Sequence, residues 1–333
     1  MTLITMGIIG AGRIGKLHAG NLLNRVEGVR LKTITDPFLD EAWAASRSIP
    51  VTGNDHRMIL DDPEIDAVLI GSPSPQHAPQ MIECAQAGKH IFCEKPIALD
   101  PEVIRNALAE VEKTGVKLQV GFNRRFDPSF AAVQQQAASG ALGAPHVIRI
   151  TSRDPLPPSA EYAASSGGLF LDMTIHDFDM ARFLSGSEVT EVYARGAVLV
   201  DPEIGKAGDI DTALISLKFA NGALGIIENS RKAVYGYDQR IEVFGSKGTA
   251  LADNNTPTSM VVMNESGTVR DKPLYFFLQR YQTAFVAEMQ AFVNAVRNDT
   301  PTPVSGNDGL APVLIALAAN ESLQGNRPVA VAQ

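Results

Sequence analysis

Leu3-Ile4-Thr5-Met6-Gly7-Ile8-Ile9-Gly10-Ala11-Gly12-Arg13-Ile14-Gly15-Lys16-Leu17-His18 decides the fold. The apolar run Leu3–Ile9 reads as a buried strand, and Ile14–Leu23 as the helix that follows it. Between them lies a G-x-G-x-x-G turn in the context it requires, after a strand and opening a helix. Gly10 permits the tight turn, Gly12 lets backbone approach a pyrophosphate, and Gly15 lets the helix pack closely on the strand. The phosphates then meet the helix N-terminus at Arg13 and Ile14, where free N–H groups and the helix dipole favour an anion. Asp36 ends the next strand, Val29–Thr35, 21 residues after Gly15. A carboxylate there hydrogen-bonds ribose hydroxyls and repels a 2′-phosphate, and Pro37 follows with no Arg beside it. The expected cofactor is NAD rather than NADP.

Working outward, strand and helix alternate to residue 121. Helices are expected at Asp40–Ser48, His56–Leu60, Pro75–Ala87 and Pro101–Thr114, and strands at Ala67–Ile70, His90–Cys93 and Val116–Gly121. This is the pattern of a parallel sheet covered on both faces, an α/β Rossmann dinucleotide-binding domain over 1–121. Ligands of such sheets sit at the carboxyl ends of strands. Two later strand ends therefore become candidates for the cofactor site: Ser72, Pro73 and His77 after the strand Ala67–Ile70, and Glu94 and Lys95 after the strand His90–Cys93. The first also reads as a proline-rich helix start. The second is a Glu-Lys pair, which in an ordinary loop is solvated. Beside a nicotinamide, a lysine there holds a substrate hydroxyl and stabilises a developing alkoxide.

After Phe122 the character changes. Residues 122–333 read as an α+β domain with a large, mainly antiparallel sheet, expected to bind substrate. Its strands are His146–Ser152, Val189–Leu199, Thr212–Phe219, Ala223–Asn229, Gln239–Phe244 and Ser259–Met263, with Asn221-Gly222 as a hairpin turn. Helices are expected at Pro128–Ala138, Asp172–Leu184, Leu278–Arg297 and Ala311–Gln324. On the second of these, at about 100° per residue, Asp172, His176 and Asp179 share a wedge roughly 60° wide between two apolar flanks. A carboxylate four residues before a histidine orients it and stabilises its protonated form, as a general base requires. The same residues also read as an N-cap, Asp172, and a partly buried histidine.

Composition excludes several classes. The chain of 333 residues is 45% hydrophobic and 20% charged, with a formal net charge of -8 and no long Lys/Arg run. Neither nucleic acid nor an anionic membrane surface is an expected partner. The apolar runs are too short to span a bilayer, and Met1-Thr2-Leu3-Ile4-Thr5-Met6-Gly7 lacks the features of a signal peptide. The two cysteines, Cys84 and Cys93, form neither a disulfide framework nor a C-x-x-C pair, and no His pair stands at ligand spacing. The expectation is a cytoplasmic protein with no metal.

Gly10–Gly15, Asp36, Glu94-Lys95-Pro96, Gly121-Phe122-Asn123-Arg124-Arg125-Phe126-Asp127 and Gly167-Gly168-x3-Asp172-x3-His176 follow one another in this order. Together they resemble the Gfo/Idh/MocA family of sugar and polyol dehydrogenases across nearly the whole chain. Phe170–Arg182 and Ala233–Gln239 resemble its inositol 2-dehydrogenase branch most closely, which oxidises myo-inositol to 2-keto-myo-inositol with NAD. The resemblance implies that Lys95, Asp172 and His176 are the catalytic set and that the Lys95–Pro96 peptide is cis. It also implies a homodimer or homotetramer formed through the C-terminal sheet. Arg125, Asp154, Asp179, Tyr235 and Tyr281 are further candidates for holding a polyol, which needs many hydrogen-bond partners and little net charge. Competing expectations are a scyllo-inositol or other inositol-isomer dehydrogenase, an aldose dehydrogenase, and a non-catalytic NAD-binding sensor.

Overall fold

The structure, a computed structural model, describes residues 3–332. Residues 1, 2 and 333, which belong to the N-terminal stretch and to the outer bounds of the two expected domains, lie outside the described residues. The chain forms two compact units. One comprises the residues up to Asn123 together with Thr283–Val313; the other comprises Arg124–Gln282 and the residues from Leu314 onward.

The first unit holds a six-stranded parallel sheet: β1 (Ile4–Ile9), β2 (Val29–Thr35), β3 (Val51–Gly53), β4 (Ala67–Ile70), β5 (His90–Glu94) and β6 (Leu118–Gly121), in the order β3-β2-β1-β4-β5-β6. That order reverses between β1 and β4, the switch point at which doubly wound sheets bind dinucleotides. Met6, Ile8, Ile34, Leu69 and Phe92 are fully buried, as strands covered on both faces demand. β3, only three residues long, is too short to show a period in the sequence. Local chemistry sets the helix limits. Asp100 caps Pro101–Thr114 through the Glu102 amide, and Gly115 ends it in the left-handed conformation.

Residues 283–313 return to this unit, although a division at 121 and 122 assigns them to the second domain. Met289, Phe292 and Val293 of the helix Gln282–Asn298 join the core of Met6, Ile8, Leu31 and Phe92. Gln119 donates to the Glu288 carbonyl at 2.9 Å, and Arg297 to the Gly28 carbonyl at 3.0 Å. Helical spacing marks the buried stripe of such a helix but not the sheet that receives it.

The second unit holds β7 (Pro145–Arg153), β8 (Val189–Ala197), β9 (Thr212–Phe219), β10 (Leu224–Ser230), β11 (Asp238–Gly245), β12 (Gly248–Ala252), the hairpin β13 (Val261–Asn264) and β14 (Gly267–Arg270), and β15 (Val329–Ala330). Seven strands pair in the order β12-β11-β7-β10-β9-β8-β15, and β13 and β14 stand apart as a two-stranded sheet. Only β7 and β10 run parallel; the other pairs in the large sheet are antiparallel. Asn221-Gly222 turns β9 into β10, with Gly222 at φ +89°. Along β9, Ala213, Ile215, Leu217 and Phe219 face inward and Leu214, Ser216 and Lys218 outward. The inner face receives the helices Pro128–Ala138 and Ile175–Ser185.

The expected regular helix from Asp172 is replaced by a π turn, Phe170–Thr174, running into Ile175–Ser185. Asp172 thus lies in the wide turn, ahead of the α-helix that carries His176 and Asp179. Among the described residues no helix is long and apolar enough to cross a membrane.

Candidate active site

In the first unit, Gly10 has φ +98°, and a Cβ on it would lie 2.5 Å from the Ser72 amide nitrogen. A Cβ on Gly15 would lie 1.9 Å from the Gly10 carbonyl oxygen. Both positions accept only glycine. Gly12 differs: a Cβ there meets nothing within 4 Å, and the residue occupies the N-cap without any side-chain cap. Room and uncapped amide donors coincide at the start of a helix, which fits a pyrophosphate.

Asp36 accepts from the Ala11 amide at 2.7 Å with one oxygen and from the Phe38 amide at 2.8 Å with the other. The carboxylate thus ties the end of β2 to the glycine loop. It lines a recess with Pro37, Thr52 and Asn54, and no cation is among the lining residues. A 2′-phosphate would meet carboxylates there with nothing to neutralise it.

At the next strand ends the expectations shift. Ser72 donates to Gln80 at 2.7 Å. His77 is buried, with Nε2 2.7 Å from the Ser72 carbonyl and Nδ1 2.8 Å from the Pro96 carbonyl. Expected among the cofactor ligands, it instead ties the loop after β4 to the loop after β5. Lys95, half-buried, opens the latter loop, and the Lys95–Pro96 peptide is cis, as the resemblance implied. Glu94, also expected at the cofactor, is buried and bonded to His18 Nε2 at 2.8 Å.

In the second unit the Asp172 carboxylate accepts from the Tyr162 hydroxyl at 2.9 Å and from Arg231 Nη1 at 2.8 Å. The helix Ile175–Ser185 has its cap position at Thr174, not at Asp172. Asp154 lies 3.6 Å from the same Arg231 nitrogen. Burial pushes the Asp154 carboxyl up to about 6; the Asp172 charge adds to this, and Arg231 opposes it. Arg231 is itself buried, and despite that burial the two carboxylates raise its affinity for its proton. His176 and Asp172 remain partly open, unlike the other acids of the helix.

Asp179 is fully buried and accepts from Arg125 Nε at 2.9 Å and Nη2 at 2.5 Å. Both were expected to hold substrate, and the structure joins them as a buried ion pair. Tyr281 is 1% exposed, packed edge-on against Tyr237 and Phe130, with its hydroxyl 3.4 Å from Gln239. It is a core residue rather than a pocket residue. Tyr235 is exposed and donates to Asp238 at 2.6 Å while accepting from Arg153 at 2.6 Å.

Sequence reasoning missed Tyr162, Arg231, Arg124 and Asp177. Arg124 donates to buried Asp177 at 2.5 Å, and Asn229 donates to the other Asp177 oxygen at 2.8 Å. The tandem Arg124-Arg125 opposite Asp177-x-Asp179 was the available signal: each arginine takes a different aspartate. Arg231 carried none, because only the register of β10 brings it to Asp172.

A switch-point glycine loop with an acidic β2 end, and a separate unit carrying a carboxylate–imidazole pair, define a dinucleotide-dependent oxidoreductase. The sequence matches "Oxidoreductase family, NAD-binding Rossmann fold" over residues 4–122 and "GFO/IDH/MocA C-terminal domain" over 130–251. The chain belongs to the Gfo/Idh/MocA oxidoreductase family. It is 52% identical to an uncharacterized oxidoreductase, YrbE, of Bacillus subtilis, covering 98% of this chain and 96% of that one. It is 48% identical to myo-inositol 2-dehydrogenase of Thermotoga maritima, covering 97% of each. The structure of scyllo-inositol dehydrogenase from Lactobacillus casei, with NAD(H) and scyllo-inositol bound, superposes with a TM-score of 0.91 at 35% identity and covers 100% of each chain.

Proposed function

We propose that this protein oxidises a ring hydroxyl of a cyclic polyol with NAD, converting myo-inositol to 2-keto-myo-inositol in inositol catabolism. The observation that carries the reading is Asp172, gripped by Arg231 and Tyr162, four residues before a partly open His176, while Asp177 and Asp179 are sealed in ion pairs. One carboxylate and one imidazole of this helix are thereby left for chemistry. The 48% identity to a myo-inositol 2-dehydrogenase supports the substrate.

NAD, when bound, takes up the hydride from the carbinol carbon. His176 accepts the hydroxyl proton, and Asp172, held by Arg231 and Tyr162, stabilises the resulting imidazolium. Lys95 holds the hydroxyl oxygen and lowers its effective pKa by its positive charge. Asp154 is a further polyol ligand, and Tyr235 contributes at the rim. His77 positions the Lys95-Pro96 loop from behind. The acidic recess at Asp36 supports NAD over NADP.

A panel of inositols and aldoses with NAD and NADP, read by reduced-cofactor absorbance, tests this. Turnover of myo-inositol with NAD is expected. Turnover of aldoses alone would sink the inositol reading, and tight NAD binding with no turnover would favour a sensor. Preference for scyllo-inositol is the second reading, supported by the Lactobacillus casei enzyme. Exposed Leu214, Leu224, Ile226, Phe244 and Leu251 on one sheet support assembly of a dimer or tetramer through that sheet. Cys84 and Cys93, both free thiols, support a cytoplasmic location.

A further inference from the structure

The first unit carries a second cluster of titratable groups. His18 on the helix Arg13–Asn24, Glu94 at the end of β5 and Glu288 on the helix Gln282–Asn298 each offer an atom within 4.8 Å of the others. His18 and Glu288 are fully buried and Glu94 nearly so. His18 Nε2 is 2.8 Å from Glu94, and the imidazole is held edge-on by Phe92 and Phe285. Neither Glu288 oxygen has a hydrogen-bond partner, and His18 Nδ1 has none.

Among the described residues, the charge acting on the Glu288 carboxyl is that of Glu94, another acid. From β6, Gln119 spends its amide on the Glu288 backbone carbonyl. The Cys93 thiol points to the Glu94 carbonyl, and burial, then Glu94, holds that thiol protonated. Two carboxylates sharing a buried site do not both ionise. Glu94 has the His18 donor, so Glu288 is the one that keeps its proton. Burial, reinforced by the Glu94 charge, pushes the Glu288 carboxyl well above its usual range. Glu94 is also seated against bare backbone: a Cβ on Gly121 would approach its Oε2 to 3.0 Å.

We propose that His18, Glu94 and Glu288 form a buried site in which Glu288 is held as the neutral acid beside the His18–Glu94 pair, and that this site fixes the strand end from which Lys95 projects. The positioning of Lys95 matters only if Lys95 acts as proposed above; the proton on Glu288 stands apart from that reading.

Infrared difference spectroscopy of the NAD-bound enzyme at neutral pH tests the proton. Wild type is expected to show the C=O stretch of a protonated carboxylic acid, lost in Glu288→Gln. That variant, isosteric with the neutral acid, is expected to melt within a few degrees of wild type. Absence of the band, its survival in Glu288→Gln, or stoichiometric metal in the purified enzyme by elemental analysis overturns the proposal. Competitive amine labelling read by mass spectrometry tests the positioning. Lys95 is expected to label severalfold differently in Glu94→Gln, and in Glu94→Asp should the first variant not fold. Unchanged Lys95 labelling in a folded Glu94 variant overturns that half. Neither readout needs turnover, so failure to oxidise any polyol would sink the proposed function and leave this site standing.

Discussion

His176 is the residue on which the proposed chemistry turns. His176→Ala is expected to lower kcat by about 10²–10⁴ with folding intact, the usual share of a general base. A near-normal rate in steady-state assays would demote it to a structural group. Arg231→Leu is the complementary change, since it strips Asp172 of its cation and leaves two carboxylates, Asp154 and Asp172, facing each other. The proton affinity of Asp154 also sets a pH dependence of stability. A carboxyl whose folded pKa exceeds its unfolded value adds stability that is complete below the unfolded value and is lost as pH rises through the folded one. For Asp154 that window runs from about 4 in the unfolded chain to about 6 in the folded one. The melting temperature by calorimetry is therefore expected to carry a falling component across this range. Asp154→Asn should remove that component. Asp36→Ala is expected to weaken NAD far more than NADP in binding titrations; an equal loss for both would mean the carboxylate does not read the ribose.

At the scale of elements, the glycine loop and the π turn make opposite points. The loop was legible residue by residue, because a tight turn, a close approach and a helix packed on a strand each exclude a side chain. Gly15→Ala places a Cβ 1.9 Å from the Gly10 carbonyl, so the loop must shift. NAD affinity by fluorescence titration is expected to fall at least about tenfold, or 1.4 kcal/mol; unaltered affinity would show that the loop does not cradle the cofactor. The π turn was not legible. Nothing in Phe170-Leu171-Asp172-Met173-Thr174 departs from ordinary helix composition. Two bonds made by Thr174 Oγ1, to the Leu169 carbonyl at 3.2 Å and to Asn229 at 2.7 Å, accompany the wide turn. Asn229 lies on β10, more than 50 residues away in the chain. The two carboxylates of the expected wedge take different partners. Asp179 goes inward to Arg125, and Asp172 goes to Arg231.

For the whole molecule, the outer face of the second unit's sheet is the feature that a lone chain leaves exposed. Leu224 and Ile226 on β10 lie opposite Lys218 and Ser216 on β9, and Leu214, opposite Glu228, adds a further exposed apolar side chain to β9. In sedimentation velocity, Leu224→Glu with Ile226→Glu is expected to sediment as a monomer where wild type sediments as the proposed dimer or tetramer, while the melting temperature stays close to wild type once dissociation is allowed for. An unchanged oligomer would move the interface elsewhere. The first unit makes a different point about the chain as a whole. Its core is completed by residues from 283 onward, so a fragment ending near residue 123 lacks Met289, Phe292 and Val293 and leaves Phe92 without its aromatic neighbour Phe292.

The sequence by itself determined the parallel sheet, the glycine loop with Asp36, the NAD preference it implies and the mainly antiparallel second sheet. These rest on local period, turn chemistry and strand-end position, all written within short windows of chain. Only the tertiary structure decided which charged residue is tied to which. Arg125 with Asp179, Arg231 with Asp172, and His18 with Glu94 are pairs brought together by strand register and by packing between elements far apart in the chain. Only the first left a trace in the sequence, in the tandem Arg124-Arg125 and Asp177-x-Asp179. A buried charge takes whatever partner the fold delivers to it, and that choice is made only when the elements pack.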